Sequence, residues 1–167
     1  MLNLLGKLQR NETAYDVTLS GIELGSIRTR ILATNIVRNT SLLSLSMSRK
    51  GIEEEVGVDL ARMLLVNKNI RKIELEGNKL GPKTAREFGN VLRYNSSLKF
   101  LDLDNNSLTS DNEDPTGLLT FIDALKYNKT LLSLNIANNR LDDQIGKAFE
   151  DALSVNHTLI DFEFGFN

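Results

Sequence analysis

The sequence contains no cysteine, so neither a disulfide framework nor a thiolate metal site can be built from it. Its single histidine, His157, falls at what reads as a surface turn rather than in a place for a general base, and no glycine-rich phosphate loop occurs. Long apolar runs are missing too. The start, Met1-Leu2-Asn3-Leu4-Leu5-Gly6-Lys7, has too short an apolar stretch for a signal peptide or a membrane span, and no later segment approaches spanning length. A cytosolic or nuclear address without membrane contact is the expectation. Positive charge is not in excess: net charge is −2 and the sequence pI about 5.5. That argues against a nucleic-acid partner, whose binding would come mainly from Lys and Arg neutralising phosphates.

What is present is a repeat. The chain has 167 residues, 41% of them hydrophobic and 25% charged, which suits one globular domain whose parts stack around a continuous core. The phrase Asn-x-Ser/Thr-Leu-x-x-Leu-x-Leu-x-x-Asn-x-Leu recurs along it. NSSLKFLDLDNNSL from Asn95 and NKTLLSLNIANNRL from Asn128 are the clearest copies. NKNIRKIELEGNKL from Asn67 carries Ile for Leu twice; NTSLLSLSMSRKGI from Asn39 and NETAYDVTLSGIEL from Asn11 are looser, and NHTLIDFEFGFN from Asn156 is incomplete. The opening asparagines at 11, 39, 67, 95, 128 and 156 are spaced by 28, 28, 28, 33 and 28 residues.

Each copy reads as strand, loop and helix. Leu101 with Leu103, or Leu134 with Ile136, lie two apart and so face one side of a strand. A breaker follows, Gly81-Pro82 or Asp142-Asp143, suited to a loop or helix start. Then come apolar stripes at helical spacing: Leu60, Met63, Leu64; Phe88, Val91, Leu92; Phe121, Ala124, Leu125; Phe149, Ala152, Leu153. One unit cannot bury its own apolar face, so neighbours must stack, with strands lining an inner wall and helices an outer one. The strand-end asparagines Asn78, Asn106 and Asn139 are expected to bond backbone groups where the chain leaves the sheet.

This helix-containing 28-residue period resembles the ribonuclease-inhibitor class of leucine-rich repeats over nearly the whole chain. The resemblance implies an α/β fold: a right-handed βα solenoid, curved, with parallel strands on the concave face and helices on the convex face. Residues 1–10 would form an N-terminal helical cap and 11–167 the repeat domain. Within the class, LARMLLVNKNIRKIELEGNKL (Leu60 to Leu80) and the repeats around it resemble the C-terminal domain of tropomodulins. Tropomodulins also have an N-terminal half of actin- and tropomyosin-binding segments, to which nothing here corresponds, and a helix beyond the last strand. Actin capping is therefore not inherited.

Both ends are atypical. Ala14 replaces the leading Leu of the first copy and Ile22 stands where Asn is expected; Leu2, Leu4, Leu5 and Leu8 give the cap its apolar face. Phe162, Phe164 and Phe166 follow a strand pattern with no helix after them, and an uncovered apolar edge invites association. Further chain, a partner or a second copy is expected to cover it. The 33-residue spacing places five extra residues near Thr109–Thr116, in a loop between strand and helix.

Three motifs invite chemistry without supporting it. Asp102-x-Asp104-x-Asn106 with Glu113 imitates a calcium loop, but Ser107 replaces the required Gly and the repeat makes Asp102–Asp104 a strand. Asn11, Asn39, Asn95, Asn128 and Asn156 begin glycosylation sequons that repeat grammar already explains. Glu74 and Asp102 imitate a glycosidase acid pair, yet an open wall offers no pocket to raise one pKa. No cofactor and no catalytic residue is expected.

The register assigns the outward strand positions. The first column is Asp16, Ser44, Lys72, Phe100, Ser133, Asp161; the second Thr18, Ser46, Glu74, Asp102, Asn135, Glu163; the third Ser20, Ser48, Glu76, Asp104, Ala137, Gly165. Seven acids and one base give this wall a formal −6 in a chain of −2. Glu74 opposes Asp102 and Glu76 opposes Asp104, an arrangement that destabilises. The sequence thus reads as a non-catalytic protein-interaction module, part of a cytoskeletal or regulatory scaffold, gripping a basic segment. Its binding residues are expected to be Lys72, Glu74, Glu76, Phe100, Asp102, Asp104, Asn135, Asp161 and Glu163. Alternative readings are an actin-filament or axonemal component, a regulatory or inhibitory repeat domain for an enzyme, and a divalent-ion-responsive protein.

Overall fold

The computed structural model describes residues 2–19 and 24–167. Ser20 and Ile22 lie outside the described residues. The elements alternate: α1 (Leu2–Gln9), β1 (Asp16–Thr18), α2 (Gly25–Ile36), β2 (Ser44–Ser46), α3 (Glu54–Val66), β3 (Lys72–Glu74). They continue as α4 (Pro82–Tyr94), β4 (Phe100–Asp102), α5 (Thr116–Tyr127), β5 (Ser133–Asn135), α6 (Asp143–Leu153) and β6 (Asp161–Glu163). The six strands form one parallel sheet in chain order. Its register pairs Lys72 with Ser44 and Phe100, and Glu74 with Ser46 and Asp102.

Local chemistry sets the boundaries. Gly81 precedes Pro82 at the start of α4, where a missing N–H costs nothing. Asp142 caps α6 by accepting from the Ile145 N–H at 2.9 Å. The central residue of each strand points inward. Leu45, Ile73, Leu101 and Leu134 are buried, whereas Val17 and Phe162 in the end strands are half-buried. Opposite them lie the helix stripes, with Phe88, Phe121 and Phe149 filling the layer between; each such burial stabilises by about 2–3 kcal/mol. Parallel strands stack about 4.8 Å apart while packed helices need about 8–10 Å. The stack must therefore curve with its strands inside, as a solenoid.

Two asparagine ladders tie successive repeats. At the strand ends, the Asn78 side chain donates to the carbonyls of Met47 (3.1 Å) and Leu75 (2.8 Å) and accepts from the N–H groups of Lys50 and Ile52. Asn106 and Asn139 donate in the same way, to Leu75 and Leu103 and to Leu103 and Ile136 respectively. The opening asparagines form the second ladder, which the sequence did not announce. Asn95 donates to Leu64 O (2.6 Å) and Asn67 O (3.0 Å) and accepts from the N–H groups of Ser97 and Leu98. Asn39, Asn67, Asn128 and Asn156 do the same work, and all five are buried.

The extra residues lie between β4 and α5, as the spacing required. Ser110, Asp111 and Asn112 all take left-handed backbone (φ 49, 56 and 70). Asn112 donates to Arg140 O at 3.0 Å and Arg140 pairs with Asp111, also at 3.0 Å. This detour interrupts one ladder: the buried Asn139 Oδ1 has no hydrogen-bond partner, where Asn78 Oδ1 has two. The helices close over the gap. Gly117 of α5 lies so near the Pro82 carbonyl that a methyl group there would overlap it.

The sixth repeat corrects one expectation. Phe162 and Phe164 stack on Phe149, with ring centroids 5.1 and 5.7 Å away. Phe166 does not continue that strand face. It is 90% exposed and has φ 58, at the repeat position held by Gly77, Asn105 and Asn138. Asn167 then supplies the strand-end asparagine, accepting from Asn139 N–H at 2.7 Å and donating to Phe164 O at 2.8 Å.

Candidate functional site: the concave wall

Outward residues of the sheet stand in three registered columns. Pairing fixes the first two. The third follows from ladder bonds beyond the strands: Arg49 N–H to Glu76 O, Gly77 N–H to Asp104 O, Asn105 N–H to Ala137 O. Lys72, Glu74, Phe100, Asp102, Asn135 and Glu163 come together around a shallow depression of about 190 Å³, together with Ser133 and floored by Ile73 and Leu101. Glu76 and Asp104 lie one register step outside it. Asp161 turns to its neighbour instead, accepting from Ser133 Oγ at 2.8 Å.

The carboxylates are less opposed than their register suggests. Lys72 Nζ lies 2.6 Å from Glu74 Oε1, two residues along the same strand face. Arg49 Nη2 lies 2.6 Å from Glu76 Oε1. Each bond holds its cation's pKa above the ordinary value. Asp104 accepts from Asn138 Nδ2 at 2.8 Å. Asp102 has no such cation. Its Oδ1 accepts from the Asp104 N–H at 2.9 Å, the same local turn that Asn135 makes with the Ala137 N–H. Burial, followed by the nearby charges of Asp104, Glu76 and Glu74, pushes the Asp102 carboxyl up to about 6. Phe100, 43% exposed, stands beside it on the wall.

Sequence reading missed Arg49. It lies just past the third column, in a turn whose left-handed backbone (φ 58) favours Gly or Asn. A cation at a position held by Gly77, Asn105 and Asn138 was the available signal.

The motifs set aside earlier have structural duties. Asp102 belongs to β4, the Asn106 side chain sits in the strand-end ladder, and Glu113 is on an exposed turn. The described residues include no group of three or more His, Asp or Glu side chains placed to hold a metal ion. Sequon asparagines Asn39, Asn95, Asn128 and Asn156 have their amide nitrogens committed to buried carbonyls. None of the described helices is long and apolar enough to cross a membrane.

Residues 97–119 and 127–149 each match a family described as Leucine Rich Repeat. Both matches lie within the array of six registered parallel strands alternating with six helices. The fold is that of a leucine-rich-repeat solenoid. No curated protein matches it by sequence. Among solved structures, this repeat chain is similar to leiomodin-1 actin-binding site 2, with TM-score 0.73, 19% identity, and 91% of this chain and 86% of that one covered. It is likewise similar to the tropomodulin C-terminal domain of Caenorhabditis elegans, with TM-score 0.74, 17% identity, and coverage of 93% and 92%. At such identities the likeness is one of fold.

Proposed function

We propose that this leucine-rich-repeat chain is a non-catalytic interaction module that holds a basic segment of another protein on its concave wall. The observation carrying this reading is Asp102: a partly buried carboxylate without a cation, in a depression with an exposed Phe100. A partner Lys or Arg entering beside Asp102 would replace the water that burial removes, and Phe100 would give it an apolar contact. The Lys72–Glu74 pair, with Glu163 and Asn135, would fix its orientation, and the surrounding acids would speed encounter. Glu76, Asp104 and Asp161 would extend the contact along the wall.

The structural likeness supports a cytoskeletal class of partner. Leiomodin-1 is represented among the similar structures by a segment titled for actin binding, which favours a cytoskeletal partner over an enzyme to be regulated. Sedimentation with actin filaments, and separately with microtubules, tests that choice; a chain left in the supernatant by both directs the search to soluble partners.

The wall is tested by fluorescence anisotropy with a labelled Lys/Arg-rich peptide. Wild type should bind it, and a variant with Glu74, Asp102 and Asp104 all changed to Lys should lose binding while keeping its circular dichroism. A Phe100→Ser variant, which leaves charge untouched, should weaken it about tenfold. Equal binding by all three proteins refutes the wall as the docking surface.

A further inference from the structure

The cations of this chain are unevenly partnered. On the convex face three arginines pair with acids of neighbouring repeats, Arg30 with Asp59 (2.7 Å), Arg62 with Glu87 (3.0 Å) and Arg93 with Asp123 (2.8 Å), and Arg86 donates to Thr116 Oγ1 (3.0 Å). Along the edge where strands lead into helices, Arg49 pairs with Glu76, Lys83 with Glu55 and Arg140 with Asp111, while Lys50 and Lys79 stand outside salt bridges but among acids such as Glu53, Glu54 and Glu76. The other edge, where helices lead into strands, is different. It is built from residues 38–43, 66–71, 94–99, 127–132 and 155–160, and no Asp or Glu occurs in any of these segments. Arg38, Lys68, Arg71, Lys99 and Lys129 stand there, and none of the five belongs to a salt bridge.

Apolar side chains are interleaved with them. Val66, Tyr94, Tyr127 and Val155 occupy one repeat position, just before the opening asparagine, and are 60, 72, 76 and 55% exposed. Ile160, just before the last strand, is 81% exposed. Four exposed apolar residues at one periodic position form a line rather than a scatter. Beneath them runs the ladder of Asn67, Asn95, Asn128 and Asn156, which holds the edge backbone in place. A surface already ordered loses little entropy when it binds.

Helix dipoles explain only part of the charge. Lys68 and Lys129 lie two residues past the ends of α3 and α5, where a cation favours the helix. Arg71 and Lys99 lie five residues past the ends of α3 and α4, beyond the reach of that effect. No dipole accounts for exposed tyrosines.

We propose that this edge is a second docking surface, which takes an acidic segment of a partner protein with apolar residues between its carboxylates. Carboxylates would meet the five cations while apolar side chains cover the Tyr94–Tyr127 line. A protein segment fits better than nucleic acid on two grounds. The concave wall, at a formal −6 in a chain of −2, repels a polyanion at long range. Val66, Val155 and Ile160 also offer no face for a base to stack on.

The test is fluorescence anisotropy with a labelled peptide alternating Asp/Glu with Leu/Phe. Two variants are compared with wild type, Tyr94→Ser/Tyr127→Ser and Arg71→Glu/Lys99→Glu, each first shown to fold by circular dichroism. Wild type should bind, and both variants should bind at least about tenfold more weakly. Both should still bind the Lys/Arg-rich peptide at least as tightly as wild type does, which separates this edge from the wall. Failure of wild type to bind the acidic peptide, or equal binding by the variants, overturns the proposal. So does tighter binding of single-stranded DNA or phosphatidylserine vesicles that the same variants lose. A dimer seen by sedimentation equilibrium and abolished by the variants would make the occupant a second copy and overturn it as well.

Discussion

Glu74 and Asp102 face each other across the β3–β4 ladder, yet only Glu74 has a cation beside it, Lys72 at 2.6 Å. Asp102 is left partly buried, its pKa raised from 3.8 to about 6. The folded state therefore holds a proton that the unfolded chain releases, and stability falls as pH rises through that interval. Asp102→Asn keeps an acceptor for the Asp104 N–H and removes the charge. At neutral pH it should be more stable than wild type by about 1 kcal/mol, after allowance for its partial exposure. Thermal melts should show the advantage shrinking to nothing near about pH 4; an advantage independent of pH would refute the account.

Phe166 stands in a left-handed turn that Gly77, Asn105 and Asn138 occupy in other repeats. A bulky L-residue there costs about 1–2 kcal/mol, and its 90% exposed ring recovers little by packing. Phe166→Asn should raise the melting temperature by about 2–4 °C in calorimetry. A fall would mean that the ring has a contact this account lacks.

Asn95 is 4% exposed and joins its own turn to two carbonyls of the preceding repeat. Asn95→Ala leaves those groups buried without partners, so urea unfolding should show a loss of about 3 kcal/mol. Asn11, which is exposed and accepts one bond from the Thr40 N–H at 2.7 Å, serves as the control. Asn11→Ala should cost well under about 1 kcal/mol.

Gly117→Ala drives a methyl into the Pro82 carbonyl and must push α5 away from α4. A loss of about 2–3 kcal/mol is expected. Nothing lies within 4 Å of a methyl placed at Gly165, so Gly165→Ala should be close to neutral. Comparable losses at both sites would show that close helix approach is not what Gly117 provides.

The architecture was legible because repetition puts leucines two apart in every strand and aromatics at helical spacing in every helix. Register followed too: the spacings alone placed Lys72 beside Phe100 and Glu74 beside Asp102. Bonds that bridge repeats were not legible. The Asn-x-Ser/Thr phrase looks the same whether its amide is free or is donated to a carbonyl 31 residues earlier, as Asn95 donates to Leu64. Arg49 escaped because its role depends on backbone handedness, which periodicity does not report. Phe166 misled because alternating phenylalanines cannot show where a strand stops; the turn position stops it. The periodic exposed line from Val66 to Val155 was equally hidden, since exposure separates those residues from core positions and the sequence alone does not.

The separation of charge between wall and edge has a mechanical corollary. Acids on the concave wall and cations outside salt bridges along one flank place opposite charges on two faces of the molecule, while its chain direction makes it polar lengthwise as well. Two crossed polarities leave a body with no equivalent orientations. In the field of a long charged assembly such a body turns before it touches, and it arrives with one flank leading and one end forward.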